Sequence, residues 1–119
     1  WNGTLQFWQL GNLDGARSNP LPREVVLLPA YPNPFNSQVN IPFRLFVRSN
    51  VSIKIYDVAG QLVRILDIGD RWPGLYHGTT GTAYWDGRNQ NGQDVGSGVY
   101  LGVVSAGETK INQKMLLLR

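Results

Sequence analysis

Between Val39 and Val47 an apolar side chain recurs at every second position. Val39, Ile41, Phe43, Leu45 and Val47 share one face, while Asn40, Pro42, Arg44 and Phe46 take the other. Side chains of a strand alternate between faces, so this period specifies a half-buried β-strand and not a helix. Pro42 has no N–H to give to a ladder, which predicts an edge strand or a strand with an unpaired side there. Val51, Ile53 and Ile55 repeat the pattern, alternating with Ser52, Lys54 and Tyr56. Leu62 to Leu66 returns after a turn at Asp57–Gln61, a hairpin with Gly60 at positive φ. Thr82–Trp85, Val99–Val104 and Thr109–Leu118 read as further strands, and Trp1–Trp8 alternates in part. Residues 67–81, rich in glycine with Pro73 and Asp70, read as loop. Fourteen glycines and seven prolines punctuate these runs and leave no room for long helices. The sum is about seven strands at the turn spacing of a β-sandwich.

The same composition removes several kinds of chemistry. The chain has no cysteine, so a disulfide framework, a thiolate metal site and a thiol nucleophile are all excluded. His77 is the single histidine, and any Ser-His-Asp arrangement would have to use it. It lies in a loop rich in glycine and threonine with no nucleophile motif beside it. Asp57, Asp86 and Asp94 occupy turn positions where a carboxylate has a local structural use. No catalytic residue is therefore assigned. The formal charge of +3 comes from 11 basic and 8 acidic residues that are spread along the chain. Nucleic-acid binding needs a concentrated basic face, and none is visible. No apolar run approaches the ~20 residues that span a bilayer. The chain opens at Trp1 without a basic-then-apolar leader, so any signal peptide is expected to be missing or already removed.

Several words stand in a fixed order. Tyr31-Pro32-Asn33-Pro34-Phe35-Asn36 precedes the first clear strand. Ile55-Tyr56-Asp57-Val58-Ala59-Gly60 closes the second. Trp85-Asp86-Gly87-Arg88-Asn89 comes before Gly92 and Ser97-Gly98-Val99-Tyr100, and Lys114-Met115-Leu116-Leu117-Leu118-Arg119 ends the chain. In that order they resemble the C-terminal sorting domains of the type IX (Por) secretion system and the related immunoglobulin-like domain of the flagellar hook-cap protein. The resemblance covers residues 25–119, with residues 1–24 left as an arm, a linker or the end of an upstream domain. It implies an all-β fold, an immunoglobulin-like antiparallel β-sandwich of about seven strands, that carries no catalysis of its own. It further implies a bacterial host, an upstream cargo domain, and recognition by outer-membrane secretion machinery. The product then passes through the periplasm and is secreted or displayed at the cell surface, and the domain is often cleaved there. One departure is the long stretch from Gly69 to Thr82, which carries Trp72, Tyr76 and His77.

Three candidate sites follow. Lys114, Met115, Leu116, Leu117, Leu118 and Arg119 are the candidate sorting residues. Ile111, Met115 and Leu117 fit an inner face, and Leu116 and Leu118 add an apolar tip outside it. Trp72, Tyr76 and His77 form a candidate ligand loop, because flat aromatic faces suit a glycan. Trp1, Leu5, Phe7 and Trp8 form a candidate assembly arm that would add a strand to its own sandwich or to a neighbour's. The Val39 strand, marked as an edge by Pro42, is the expected receiver. Tyr31 and Phe35 are expected to plug the core, as is Trp85. The turn from Asp86 to Asp94 is rich in oxygen ligands, but Arg88 and Gln90 fall where an EF-type loop needs them. No metal and no cofactor are expected.

Overall fold

The computed structural model describes residues 24–77 and 83–119. These contain nine strands: β1 (Val25–Leu27), β2 (Val39–Asn40), β3 (Phe43–Leu45), β4 (Ser49–Tyr56), β5 (Leu62–Arg71), β6 (Gly74–Tyr76), β7 (Tyr84–Trp85), β8 (Gly98–Ala106) and β9 (Thr109–Leu117). A four-stranded sheet has the order β9-β8-β4-β5. Opposite it lie a three-stranded sheet, β1-β3-β6, and the pair β2-β7. Every ladder is antiparallel. Ile53, Ile55, Val104, Met115 and Leu117 enter one core from the first sheet. Val25, Val39, Phe43, Leu45 and Trp85 meet them from the other side. Each such burial contributes about 1.5–3 kcal/mol, which is why both inner faces are apolar. The architecture is the expected all-β, immunoglobulin-like sandwich.

Two expectations about the strands change. The Val39–Val47 run is not one edge strand. It breaks at Ile41-Pro42 and switches partners there. The Ile41 N–H donates to the Ala83 carbonyl at 2.7 Å, and the Pro42 carbonyl accepts from Leu28 N–H at 3.0 Å. β3 then has β1 on one side and β6 on the other, so it is central in its sheet. Proline's missing N–H falls at the crossing between two ladders, where no donor is needed. Alternation survives the break, since Val39, Ile41, Phe43 and Leu45 are all buried, but it stops before Val47, which is half exposed. Residues 67–81 are also not simply loop. β5 runs on to Arg71 and β6 follows at Gly74. Gly69, at φ 89°, sits at an irregularity in the β4–β5 register and not in a connecting turn.

The turns follow their chemistry. Asp57 Oδ1 accepts the N–H groups of Ala59 and Gln61, both at 2.9 Å, and Gly60 takes φ 80°. Tyr100 is buried against the Trp85 ring, 5.1 Å between centroids, and its Oη donates to the Gly96 carbonyl at 2.7 Å. Burial, and then the charge of Asp57, holds its phenol above the ordinary range.

Candidate functional site

The separate sequence words meet around the C-terminal strand. Pro32 and Pro34 flank Asn33, and both X–Pro peptide bonds are cis. The Asn33 amide lies along the free edge of β9. Its Oδ1 accepts the Leu116 N–H at 2.9 Å, and its Nδ2 donates to the Lys114 carbonyl at 3.0 Å. A carboxamide offers an acceptor and donors on one plane, so here it stands in for the backbone of a neighbouring strand. Phe35 continues the cover: its N–H donates to the Leu116 carbonyl at 2.9 Å and its carbonyl accepts the Leu118 N–H at 2.8 Å. The ring of Phe35 enters the core edge-on to Trp85, with 5.6 Å between centroids. Unpaired edges invite pairing with other chains, and this clasp closes the edge from Lys114 to Leu118. Tyr31, expected beside Phe35 as a second plug, is 46% exposed. Its backbone pairs with Asn40, and cross-strand partners share a face, here the one opposite Val39 and Ile41.

The turn after Trp85 completes the arrangement. The Trp85 indole donates to the Arg88 carbonyl at 2.9 Å. Asp86 Oδ1 accepts the Arg88 N–H at 3.2 Å and the Arg64 guanidinium at 2.9 Å. Asn89 Oδ1 accepts from Asn91 and Gln93 N–H, both at 3.0 Å. Into this turn reaches Arg119. Its Nη2 donates to the Gly87 carbonyl at 2.6 Å, its Nε to the Val95 carbonyl at 2.6 Å, and its Nη1 to the Asn36 carbonyl at 3.4 Å. Gly87 has φ 73°, which favours glycine, and a Cβ there would lie 2.8 Å from Arg119 Nη2, so a side chain would push the guanidinium off these carbonyls. The last residue thus ties together the Asn-Pro-Phe-Asn word, the Trp-Asp-Gly word and Val95.

This divides the six candidate sorting residues. Met115 and Leu117 have no exposed surface. Arg119 is spent on the latch. Lys114, Leu116 and Leu118 alternate with them and point away from the core; Leu118 is 52% exposed.

Trp72, Tyr76 and His77 are not brought to one surface platform. Tyr76 stacks on buried Phe43, 5.2 Å between centroids and 19° between planes, and its Oη donates to the Trp72 carbonyl at 2.6 Å. Trp72 is 66% exposed, with the Arg48 guanidinium over its ring at 4.5 Å from the centroid. Arg48 in turn binds the Asp70 carboxylate at 2.6 Å and holds it below the ordinary carboxylate range. One face of the indole is therefore already occupied by a cation. His77 is partly buried at the end of β6. Trp1, Leu5, Phe7 and Trp8 lie outside the described residues. Their expected receiver, β2–β3, already has partners on both sides: Tyr31 and β7 for β2, β1 and β6 for β3.

The Asn33 clasp, the Arg119 latch and the Arg48–Trp72 stack were not foreseen from sequence. Neither was the exposure of apolar residues on the outer face of the four-stranded sheet. A signal for the last was present, since Val99 to Val104 is apolar at both odd and even positions, more than a one-sided strand requires.

Comparison with known proteins agrees with this geometry. Residues 29–71 match the sequence model of the secretion system C-terminal sorting domain. No curated protein matches the chain. Among solved structures, dimeric latent PorU from Porphyromonas gingivalis is similar at 21% identity and a TM-score of 0.58, over 86% of this chain and 10% of PorU. PorZ, an essential surface component of the type IX secretion system of the same organism, is similar at 22% identity and a TM-score of 0.51, over 78% of this chain and 11% of PorZ. FlgD from P. aeruginosa is similar at 20% identity and a TM-score of 0.53, over 78% of this chain and 69% of FlgD. The chain therefore spans about a tenth of the length of the PorU and PorZ chains. At these identities the likeness is one of fold.

Proposed function

We propose that residues 25–119 are a non-enzymatic C-terminal domain that directs a larger protein across the outer membrane through type IX secretion machinery, for release or surface display. The observation that carries this reading is the match of residues 29–71 to the sorting-domain sequence model. It is supported by the meeting of those residues with the C-terminal strand: Asn33, Phe35 and Asn36 all bond to it or to Arg119. In this reading the cargo lies upstream, residues 1–24 connect to it, and the domain is exposed to the machinery after the periplasmic stage. Lys114, Leu116 and Leu118 are the residues of the last strand that a receptor reads. Met115, Leu117 and Arg119 hold the strand in place.

The test is a reporter fused ahead of the 119-residue chain in a host with a type IX system, beside the reporter alone. The fusion is expected on the cell surface or in the medium, with the bare reporter retained. Retention of both in the periplasm would remove the proposal.

A further inference from the structure

The outer face of the four-stranded sheet is apolar where water should meet it. The register places Leu62, Tyr56, Leu101 and Lys114 in one row across β5, β4, β8 and β9. Val99 and Leu116 form the neighbouring pair. Leu101 and Val99 are 37% and 36% exposed, and Leu62 is 49% exposed. A cleft of about 560 Å³ opens there, lined by Tyr56, Val58, Val99, Leu101 and Val103 together with the polar Asp57 and Asn112. An antiparallel sheet with one solvated face ordinarily carries polar side chains on it, and a contiguous apolar patch marks an interaction surface.

The charges at its border select the occupant. Lys54, Lys110 and Lys114 stand on this same face, where they outnumber the carboxylates Asp57, which its own turn holds, and Asp67, in the row of Lys110; none of the lysines forms an ion pair among the described residues, whose pairs all use arginine. We propose that this face is a composite docking surface for a partner protein that presents aliphatic side chains bordered by carboxylates. The inference rests on the sorting reading and deepens it. Leu116 and Lys114 are then the C-terminal margin of a larger surface, and the receptor reads the folded β8–β9 hairpin instead of a linear hexapeptide. A second copy of the chain is a poorer occupant, because packing together two faces on which lysines outnumber carboxylates brings like net charge together. An anionic lipid surface is poorer too, since such membranes select clusters of about 4–8 basic residues, and here three lysines are spread over three successive rows of the sheet.

The experiment uses the same reporter fusion with the last six residues unchanged. Val99→Ser with Leu101→Ser removes the apolar centre, and Lys54→Glu with Lys110→Glu reverses the border charge. Lys54→Arg with Lys110→Arg restores that charge. These positions are exposed, so melting midpoints should stay within a few degrees of the parent. Export of the first two variants should fall by about tenfold or more, as for truncation of an interface centre, while the arginine variant is exported. Normal export of both the serine and the glutamate variants overturns the inference and leaves the sorting reading standing. An unexported parent fusion removes the sorting reading and this inference with it. Two further measurements name rival occupants. Dimerisation of the 119-residue chain in sedimentation velocity, abolished by the serine pair, assigns the face to a second copy. Flotation with phosphatidylglycerol vesicles, abolished by the glutamate pair, assigns it to lipid. Either result overturns the proposal.

Discussion

The last strand offers a test in which neighbouring residues must behave oppositely. Met115 and Leu117 have no exposed surface, whereas Leu116 and Leu118 face outward. Truncating a fully buried methionine or leucine to alanine costs about 2–5 kcal/mol, the sum of lost transfer energy and the cavity left behind. Met115 sits in a tight spot, since a Cβ on Gly102 would come within 3.1 Å of its Cε, so the void has little slack to close into. For a domain of this size each kcal/mol moves the midpoint by about 4–8 °C. Met115→Ala and Leu117→Ala are therefore each expected to lower the midpoint by roughly 8 °C at the least. Leu116→Ser and Leu118→Ser, on the solvent side, should stay within about 1 kcal/mol, or a few degrees. Circular dichroism melts of the purified 119-residue chain provide the measurement, and the reporter fusion gives export in parallel. The outward pair should lose export at near-parental stability. If Met115→Ala melts with the parent, or Leu116→Ser falls as far as Met115→Ala, the assignment of faces on this strand is wrong.

Three other outcomes are expected. Asn33→Ala removes both amide bonds to β9 and should cost about 1 kcal/mol, with hydrogen exchange at the Leu116 amide faster by about fivefold; unchanged exchange there would dismiss the clasp. The Asp70 carboxyl is held below its ordinary value of 3.8 by the hydrogen bond and charge of Arg48. A depressed carboxylate adds stability that is full above the ordinary value and is lost as pH falls through the lower folded one. In an NMR titration, Arg48→Gln should raise the Asp70 midpoint, and an unmoved midpoint counts against the pair. Chelation should leave the melt unchanged, because the oxygens of Asp86 and Asn89 already accept N–H groups. A metal site at 100 times its Kd would contribute about 2.7 kcal/mol, so a drop of several degrees in EDTA would reveal one.

What could be read from sequence was local, and what could not was long-range. The β4–β5 hairpin announces itself because Val51, Ile53 and Ile55 alternate and Asp57 and Gly60 supply the turn. Trp85 is legible as a core plug because it ends a short strand before a polar turn. Asn33 between two prolines announces a rigid segment, but nothing near it says that its amide pairs with a backbone 83 residues away. Arg119 likewise carries no sign that it will bond to Gly87, 32 residues back. Residues 67–71 read as loop because β5 is an edge strand: Asp67 and Asp70 face water, and Gly69 serves a register shift. The composition of such a strand imitates that of a loop. The outer-face patch is hard to read because Val99 to Val104 is apolar at both parities, so alternation does not say which face meets the core.

The same geometry decides what a truncation can teach. Deleting Met115 to Arg119 is the direct way to ask whether the last residues carry the sorting information. It removes two fully buried side chains, together worth about 4–10 kcal/mol by the cost of burial and cavity. It also strips the partners from the Phe35 N–H and the Asn33 Oδ1, and frees three carbonyls that Arg119 serves. A domain of this size holds about 5–15 kcal/mol in all. The truncated chain is therefore expected to lose its tertiary fold, visible as collapsed amide dispersion in an NMR spectrum and loss of the near-ultraviolet signal of Trp85. Its failure to be exported would then follow from unfolding as readily as from a missing label. If the truncated chain instead keeps a dispersed spectrum and a cooperative melt close to the parent's, the strand contributes little to the sandwich, and all six residues are open to a receptor. If it unfolds, only substitutions that spare the core, at Leu116, Leu118 and Lys114, can separate the signal from the fold that displays it.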